Sequence, residues 1–469
     1  MADRTAKEGQ LRAASGHRRI TGETIVALAS GRGRAGIAVL RASGPRAGDC
    51  LKALGGGRAL DLPRRAVLAK LRDPQDGTFL DQALVLWFPG PASFTGEDVA
   101  EFHVHGGPAV IEGVLGALRR CEGVRLARPG EFSRRAFEHG RLDLSAAEGL
   151  LDLIAAETPA QRDQALRQMG GALAERVEAW RSRLLAARAR IEALLDFADE
   201  DLPEEDTLLV RVENELATLA EEIAAALADA RRGERVRSGL RVVLAGPPNS
   251  GKSSIINWMA KEEVAIVSPE PGTTRDALEV RLELAGMVVR MMDTAGLRSA
   301  GGAIEQEGMR RARRHAREAD LCLMVHDLTA PMLDRQGHGI SDGGVAAWRV
   351  WNKCDLDSRT PPGRRGDGEY VVSARTGAGL DLLMADLESW AARAATAGES
   401  AIVTRARHRE ALEDTTEAID AARRHLMGAD LVLTAEELRR ASDALGRITG
   451  RVGVEDMLDA LFGEFCIGK

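Results

Sequence analysis

The spacing of hydrophobic residues changes along the chain and predicts three kinds of structure. Apolar runs of strand length dominate the beginning, at 24–29, 37–41 and 83–88. From about 128 to 236, and again from about 401 to 462, apolar residues recur every three or four positions, which is typical of amphipathic helices. Between these helical stretches, strand-like runs return at 240–245 and 287–292. The pattern therefore predicts an α+β region, an all-α region and an α/β region.

The two helical stretches flank the second strand-rich region, and this order indicates an insertion. The simplest arrangement is one helical domain, split in sequence, with an α/β domain inserted into it. Pro203 interrupts the first helical stretch and, together with the alanine content, favours an intramolecular bundle over a coiled coil. The expected divisions are a disordered extension at 1–19, an α+β domain at 20–127, helical parts at 128–236 and 396–469, and an α/β domain at 237–395.

The inserted domain contains the stretch Gly-Pro-Pro-Asn-Ser-Gly-Lys-Ser at 246–253. An apolar run precedes it and a helical segment follows it, which is the context that a phosphate-binding P-loop requires. Its glycines let backbone N–H groups point at phosphate oxygens, its lysine adds a positive charge, and the Ser253 hydroxyl can ligate Mg²⁺. The alternative is a chance glycine-rich turn. The candidate nucleotide contacts are Asn249, Ser250, Gly251, Lys252, Ser253 and Ser254.

A second segment supplies the magnesium and switch residues of such a site. Asp293 follows the apolar run 287–292, so it lies at a strand end where it can hold Mg²⁺ through water. Upstream, Thr273 or Thr274 can close over Mg²⁺ and the γ-phosphate. Leu297 occupies the position at which Ras-like switches carry the glutamine that orients the attacking water, so hydrolysis needs another device. The candidate contacts after the strand are Asp293, Thr294, Ala295 and Gly296.

Two further strand ends carry residues that are similar to the guanine-specificity motifs of small GTPases. A carboxylate at Asp355 can accept hydrogen bonds from both the ring N–H and the exocyclic amine of guanine, and adenine offers no such pair. The sequence therefore favours GTP over ATP. The candidate residues are Asn352, Lys353 and Asp355 after the run 346–351, and Ser373, Ala374 and Arg375 after 370–372.

Other polar features allow two interpretations each. Glu101, His103 and His105 alternate along the run 99–107 and share one face of a strand, where a partly buried polar surface is more common than a metal site. The glycine-rich segment 31–36 favours a hairpin turn over a phosphate site, because no helix follows it directly. The basic segment 310–317 is by default a solvated helix face, with RNA contact as the alternative, and the same alternative holds for the extension at 1–19.

Bulk composition excludes several classes of protein. A chain of 469 residues exceeds what one core holds, and a net charge of −7 with a pI near 5.9 argues against a general polyanion-binding surface. The five cysteines show no Cys-x-x-Cys pair and are odd in number, which suits a reducing compartment. No apolar run approaches the roughly 20 residues of a membrane span, and residues 1–19 lack the apolar core of a signal peptide. We expect a cytoplasmic protein.

Short segments across nearly the whole chain resemble the MnmE (TrmE) family of tRNA wobble-uridine modification GTPases. The pairing of a terminal Cys-Ile-Gly-Lys with a GTPase segment Gly-Thr-Thr-Arg-Asp is specific, whereas either alone is not. The segments that carry the resemblance are Thr24-Ile-Val-Ala-Leu-Ala, Ser93-Phe-Thr-Gly-Glu-Asp, His105-Gly-Gly, Arg128-Pro-Gly-Glu-Phe, Leu142-Asp-Leu, Leu195-Asp-Phe, the P-loop with Asn249, Gly272-Thr-Thr-Arg-Asp and Cys466-Ile-Gly-Lys.

The resemblance implies a multidomain α/β plus all-α architecture: an N-terminal α+β folate-binding domain that dimerises, a split helical bundle and an inserted Ras-like P-loop GTPase domain. The family acts as a homodimer with an FAD-dependent MnmG/GidA-type subunit, in a heterotetramer. With GTP, Mg²⁺ and K⁺, it uses a 5-formyl- or methylene-tetrahydrofolate to add an aminomethyl or carboxymethylaminomethyl group at C5 of the wobble uridine of tRNA. The alternatives are an RNA-binding regulatory GTPase of ribosome assembly, and a folate-dependent one-carbon enzyme that its G domain only regulates.

Matching motif positions implies roles for individual residues. Glu305 matches the family's water-orienting glutamate, with Glu307 as a close competitor, and Cys466 is expected to act in the modification step. Arg141 stands where the family often has lysine, and 268–271 departs from the commoner Thr-Asp-Ile-Ala. The implied sets are Arg41, Glu101, Arg141 and Lys469 for folate, Ser253 and Thr274 for Mg²⁺, and Asn249, Ser268, Glu270 and Thr273 for K⁺.

Overall fold

A computed structural model describes residues 22–31, 33–196, 205–261, 266, 279–293, 319–330, 346–396, 401–452 and 455–468. The described residues form two compact units, one comprising the chain up to 147 together with 455–468, and the other comprising 148–452. The predicted extension at 1–19 and the predicted basic helix at 310–317 lie outside the described residues. The predicted domain boundaries stay a prediction.

The first unit is an α+β structure built on one mixed sheet. The strand order is β3-β4-β5-β2-β1-β6, in which only β1 and β6 pair in parallel. Its strands are β1 Thr24–Leu28, β2 Ala35–Ser43, β3 Val67–Arg72, β4 Phe79–Phe88, β5 Val99–Gly106 and β6 Val124–Leu126. Its helices are α1 Ala47–Ala53, α2 Pro108–Arg119, α3 Glu131–Glu138 and, from the end of the chain, α12 Glu455–Gly463.

Strand β5 shows how alternation divides the sheet into a core face and an open face. Phe102 and Val104 are buried, while Glu101, His103 and His105 share the other face, as predicted. Each histidine has a carboxylate of its own: His103 Nε2 lies 3.2 Å from Glu101, and His105 Nδ1 lies 2.8 Å from Asp81. No metal-ligand group of three or more such side chains occurs among the described residues. The arrangement favours the polar-face interpretation.

The hairpin prediction is confirmed, because β1 and β2 are antiparallel neighbours joined through the glycine-rich segment. Sequence patterning did not identify strand β3 or helix α1, both of which complete the core. Helix α1 contributes Cys50 and Leu51, and β3 contributes Leu71, to a single cluster of buried side chains behind the sheet. The strand escapes detection because its apolar run, 67–69, is short and Lys70 separates it from Leu71.

The second unit contains a bundle of long helices. The predicted stretch 159–197 is divided by Gly170 and Gly171 into two helices, since glycine is the poorest helix former after proline. Trp180 is among the largest side chains in the bundle core. The helices are α4 Leu144–Ala155, which begins in the first unit, α5 Pro159–Met169, α6 Ala172–Asp196, α7 Glu205–Ser238, α10 Ala406–Met427 and α11 Leu431–Thr449.

The inserted α/β part of this unit has a seven-stranded sheet in the order β12-β13-β11-β10-β7-β9-β8. All neighbouring strands are parallel except β8 and β12, the two edge strands. The strands are β7 Leu240–Ala245, β8 Glu279–Leu284, β9 Met287–Asp293, β10 Leu321–Asp327, β11 Ala346–Asn352, β12 Gly363–Gly366 and β13 Glu369–Val371, and the helices are α8 Lys252–Met259 and α9 Leu380–Thr396. None of the described helices is long and apolar enough to cross a membrane.

A buried ionic cluster joins α4 to the start of α10. Glu148, only 3% exposed, accepts hydrogen bonds from Arg407 and, at 2.9 Å, from the fully buried His408. Burial alone would raise the pKa of Glu148, but the hydrogen bonds from His408 and Arg407 outweigh it and lower the pKa to about 2. Burial lowers the pKa of His408. The cluster therefore holds a carboxylate that is ionised over nearly the whole pH range.

We predict that Glu148→Gln lowers the free energy of unfolding at pH 7 by about 3 kcal/mol, because it leaves buried cationic partners without their carboxylate. The depressed pKa of Glu148 stabilises the fold above its ordinary value of 4.5, and this contribution is lost as the pH falls toward about 2. The difference in free energy of unfolding between Glu148→Gln and the parent protein should therefore become smaller as the pH falls through that range. Urea unfolding at several pH values measures this difference.

The matched control is Glu436→Gln, which removes an exposed ion pair with Arg439 on α11. That change should lower the free energy of unfolding far less than Glu148→Gln does, because water and salt screen an exposed pair. Equal losses for the two variants would contradict the role of the buried cluster.

Candidate functional site

The P-loop connects buried strand β7 to helix α8, as the sequence predicts. Helix α8 begins at Lys252, whose Nζ donates to the carbonyl oxygens of Gly246, at 3.1 Å, and Pro247, at 2.8 Å. Asn249 adopts a positive φ of 60°, a conformation that asparagine tolerates better than most residues. The lysine charge is therefore already placed over the loop that would surround a phosphate chain.

The side chain of Asn352 holds this loop against the sheet. Its Nδ2 donates to the carbonyl oxygen of Ser250 at 2.8 Å, and its Oδ1 accepts from the backbone N–H of Ala374 at 3.0 Å. Gly251, with φ 95°, is required here because a Cβ at this position would lie 2.1 Å from Nδ2 of Asn352. One buried amide thus connects the phosphate loop to both predicted base-recognition segments.

Ser253 and Asp293 come together at the start of α8 and the end of β9. The Ser253 hydroxyl donates to Oδ2 of Asp293, which is 1% exposed. A hydroxyl and a carboxylate in contact present the oxygen ligands that Mg²⁺ takes in nucleotide sites. These two residues fit a magnesium ion bound beside the phosphates.

The predicted base-recognition residues meet at the carboxyl ends of β11 and β13. The Ser373 hydroxyl donates to Oδ1 of Asp355 at 2.6 Å, and the guanidinium of Arg375 lies 3.8 Å from Oδ2. These contacts orient the carboxylate and balance its charge. Arg375 itself is largely exposed, with 80% of its side chain accessible.

Sequence reasoning missed Asp327, at the end of β10, which accepts a 2.6 Å ionic hydrogen bond from Lys353. Burial raises the pKa of Asp327, but the hydrogen bonds from Lys353 and Thr329 lower it overall. The position of Asp327 in the sequence was the signal that could have identified it, because it ends the apolar strand β10. Strand β10 is parallel to β11, and their last residues, Asp327 and Asn352, are register partners.

Several predicted residues lie outside the described part of the chain. The structure therefore places only Asn249 of the predicted K⁺ set and only Ser253 of the two predicted Mg²⁺ ligands. The residues outside it are Ser268, Glu270, Thr273, Thr274, Thr294, Ala295, Gly296, Glu305 and Lys469, together with Leu297 and Glu307.

A second site lies in the first unit, where Arg41 and Glu101 face each other on β2 and β5. The guanidinium of Arg41 lies 2.9 and 3.0 Å from Oε1 of Glu101, and its carbon lies 5.5 Å from the ring centre of Phe94 and 5.8 Å from that of Phe132. The two aromatic rings were not predicted as site residues, although both stand in the segments that carry the family resemblance. Together they form a charged, aromatic-lined site suited to a flat, polar heterocycle.

The loop 93–98 beside this site is held by buried Arg135, which is 2% exposed and 2.9 Å from Glu97. Ser43 completes the support by donating to Glu97 at 2.7 Å. Arg141 lies against the same loop, because a Cβ at Gly96 would be 3.4 Å from its Cγ. Among the described residues, Arg141 forms no hydrogen bond or ion pair with Arg41 or Glu101.

The end of the chain docks onto this unit with Cys466 exposed. Ile467 forms an isolated antiparallel bridge with Pro129. Gly468, with φ 106°, packs so closely that a Cβ would lie 2.0 Å from the carbonyl oxygen of Leu28. The residue before Leu28 is the register partner of Arg41. The tail therefore packs against β1, the neighbour of the strand that carries Arg41.

The fold and these contacts define a P-loop protein with Ras-type base-recognition motifs, joined to a separate α+β unit. The family described as MnmE helical domain matches residues 144–466, and that described as GTP-binding protein TrmE N-terminus matches 24–141. Among solved structures, the G domain of the T. maritima FeoB iron transporter aligns with 32% of this chain and 98% of its own at 23% identity, but its TM-score of 0.25 supports no structural argument.

Whole-length relatives are far more similar. The chain is 52% identical to "tRNA modification GTPase MnmE" of Parvibaculum lavamentivorans, over 95% of this chain and 100% of the relative. It is 48% identical to the protein of that name from Rhodopseudomonas palustris, over 95% and 99%. It is 47% identical to the mitochondrial 5-taurinomethyluridine-tRNA synthase subunit GTPB3 of Homo sapiens, over 96% and 94%. The chain belongs to the MnmE (TrmE) family.

We predict that Asp355→Asn weakens GTP binding by about a hundredfold and improves binding of xanthosine triphosphate. The change replaces an acceptor of two guanine donors by an amide, and a hydrogen bond to a charged group contributes about 1.5–3 kcal/mol. Titration with fluorescent nucleotide analogues measures both affinities. Asp357→Asn is the matched control, because Asp357 lies in the same turn but bonds Arg359 and Thr360. Unchanged GTP affinity in Asp355→Asn would contradict the assignment of Asp355 to guanine recognition.

Proposed function

We propose that the protein is a GTP-hydrolysing tRNA modification enzyme that adds an aminomethyl or carboxymethylaminomethyl group at C5 of the wobble uridine of certain tRNAs. The observation that carries this proposal is the docked tail, which packs against β1, the neighbour of the strand that bears Arg41, and leaves Cys466 exposed. A regulatory GTPase has no use for a thiol held at such a position. The names of the relatives agree with the coarser part of this proposal, a GTPase that acts in tRNA modification.

In the G domain, the chain's own residues bind and orient GTP. Lys252 is placed to exchange its two carbonyl contacts for β- and γ-phosphate oxygens, and Ser253 with Asp293 would hold the Mg²⁺ that neutralises the phosphates. Asp355, oriented by Ser373, selects guanine. The switch threonine, Thr273 or Thr274, would close over this site, with Thr274 as the second Mg²⁺ ligand.

The chain lacks the glutamine with which Ras-like switches orient the attacking water, so GTP hydrolysis requires other groups in its place. We assign water orientation to Glu305, with Glu307 as its competitor. When bound, K⁺ supplies positive charge beside the phosphates, and Asn249, Ser268, Glu270 and Thr273 are the residues that would hold it. Of these, Asn249 has its backbone turned into a left-handed conformation within the P-loop.

In the first unit, Arg41 and Glu101 offer a donor and an acceptor side by side, and Phe94 and Phe132 offer ring faces. This chemistry fits the polar ring of a tetrahydrofolate, which supplies the one-carbon unit when bound as its 5-formyl or methylene form. Arg141 and Lys469 are the proposed contacts to the folate's acidic portion.

The proposed assembly is a cytoplasmic homodimer that combines with an FAD-dependent subunit of the MnmG/GidA type in a heterotetramer. The flavin subunit would supply the redox step that folate and GTP do not. The acidic net charge of −7 means that tRNA contact must be confined to local basic surfaces.

Replacing K⁺ by Na⁺ should lower the GTP hydrolysis rate by at least about tenfold, because the ion takes the place of the charge that an arginine finger supplies elsewhere. Asn249→Ala should abolish this ion dependence while Asn257→Ala, on the exposed side of α8, should preserve it. Steady-state phosphate release in the two salts is the measurement. A rate that is equal in both salts would exclude the ion's role.

The proposed function is tested by mass spectrometry of tRNA nucleosides from cells that lack the protein and carry a variant in its place. Cys466→Ser should abolish wobble-uridine modification and leave GTP hydrolysis intact, because serine lacks the nucleophilic sulfur. Gly468→Ala should have the same effect by unseating the tail, whereas Gly463→Ala meets no atom within 4 Å and should behave like the parent.

Two results would overturn parts of this proposal. Normal modification by Cys466→Ser would remove the thiol from the reaction. If the parent protein itself fails to restore the modified uridine, the protein is instead an RNA-binding regulatory GTPase.

A further inference from the structure

The end of α1 and the edge strand β3 carry a concentration of positive charge that none of the sites above uses. The stretch from 52 to 72 contains six lysines and arginines and a single carboxylate, Asp61, in a chain whose net charge is −7. All six basic residues are exposed. This part of the surface is therefore basic although the chain as a whole is acidic. The six residues are Lys52, Arg58, Arg64, Arg65, Lys70 and Arg72.

The fold gathers these residues on one margin of the first unit, because the two ends of the stretch are in contact. The backbone N–H of Arg72 donates to the carbonyl oxygen of Leu54 at 3.1 Å. A Cβ at Gly55 would lie 2.9 Å from the carbonyl oxygen of Lys70. Between the two ends, Gly57–Asp61 forms a short 3-10 helix. We call the surface formed by the six basic residues the basic margin.

Most of the positive charge on the basic margin is unmatched. Exposed arginines of α11 pair with carboxylates one turn away along the helix. Four residues of the basic margin, in contrast, form no side-chain hydrogen bond or ion pair with a described residue: Lys52, Arg58, Arg65 and Lys70. Unmatched charges of one sign raise the local potential, and charges more than about 8 Å away are largely screened at physiological salt. The basic margin therefore attracts an anionic partner in spite of the acidic net charge.

The other two basic residues lie over aromatic rings. The guanidinium carbon of Arg64 lies 5.8 Å from the ring centre of Phe88, and that of Arg72 lies 5.9 Å from the ring centre of Phe79, which is 53% exposed. Each guanidinium also donates to a backbone carbonyl oxygen, which fixes its position. Aromatic rings and guanidinium planes are the surfaces on which unpaired RNA bases stack.

This combination fits RNA better than a membrane. Proteins that lie on an anionic membrane commonly present their cations on an amphipathic helix whose apolar face enters the lipid. The cations of the basic margin come instead from the end of a seven-residue helix, a 3-10 helix, a turn and an edge strand. Separate cations that surround stacking surfaces match the alternation of phosphates and bases in a nucleic acid.

We propose that the basic margin binds the phosphate backbone of the tRNA substrate. Lys52, Arg58, Arg65 and Lys70 contact phosphates, and the Arg64 and Arg72 platforms receive unpaired bases. The inference rests on the proposed function, because it takes tRNA as the substrate, and it adds the surface of the chain that holds the RNA. Phosphate contacts position a nucleic acid without reading its sequence, so this surface serves every tRNA that the protein modifies.

The test is a full-length variant that combines Lys52→Ala, Arg58→Ala and Arg65→Ala. Fluorescence anisotropy measures the Kd for an in vitro transcribed tRNA with uridine at the wobble position, at several salt concentrations. At physiological salt the Kd should rise at least about tenfold, and the slope of log Kd against log salt should fall by about 2, because three phosphate contacts are lost. The rate of GTP hydrolysis should not change, since none of the three residues lies in the nucleotide site.

The matched control combines Arg190→Ala, Arg365→Ala and Arg393→Ala on α6, β12 and α9. These arginines are also exposed and form no ion pair with a described residue, so the control removes the same charge from other surfaces. It should keep the Kd and the salt slope of the parent protein. Equal weakening in both variants would show an effect of net charge alone and overturn the proposal. If the triple variant does not fold, Lys52→Ala and Arg65→Ala singly should each lower the salt slope by about 0.7.

Two further outcomes separate this inference from its alternatives. Unchanged tRNA affinity in the triple variant, with lost binding to vesicles of phosphatidylglycerol, would overturn the proposal in favour of a lipid surface. If the parent protein binds tRNA through the basic margin but restores no modified uridine in cells, the proposed function fails and this inference stands. If the triple variant binds and modifies tRNA as the parent protein does, the proposed function stands and this inference fails.

Discussion

The candidate nucleotide site depends on one buried amide side chain. Asn352 fixes the P-loop through the Ser250 carbonyl and the segment after β13 through the Ala374 N–H, so the phosphate and base ends of the site share a single support. The support works only because Gly251 has no Cβ. A preorganised site of this kind needs little rearrangement of these loops when a nucleotide binds, which reduces the cost of ordering them at that moment.

Much of this site could be predicted because its residues follow buried strands directly in the sequence. Strands β7, β10, β11 and β13 are parallel neighbours, and parallel strands bring their carboxyl ends to one edge of the sheet. Motifs around Lys252, Asp355 and Ser373 therefore had to meet. The pairing of Lys353 with Asp327 was not predicted, because an isolated aspartate after a strand has no motif and its role appears only through its neighbour.

The Arg41 site contains residues that could not be predicted from the sequence. Family resemblance indicated Arg41 and Glu101, but nothing local to Phe94, Phe132 or Arg135 reveals that their side chains converge from a loop and a helix. Arg135 is a charged residue in a helix that patterning would leave in solvent, yet it is buried against Glu97 and backbone carbonyls. Buried polar clusters of this kind arise from tertiary packing, and the periodicity of hydrophobic residues does not predict them.

Helix α7 leads almost directly into the strand before the P-loop. It runs without interruption through 34 residues, about 50 Å at 1.5 Å per residue, and only Gly239 separates its last residue from the strand that leads into the P-loop. A tilt of about 5° at that joint would move the far end of such a rod by about 4 Å. The buried side chains along this helix belong to the bundle core, so the helix cannot tilt alone. A small rotation at Gly239 would therefore displace the packed bundle as a whole relative to the strand that leads into the P-loop.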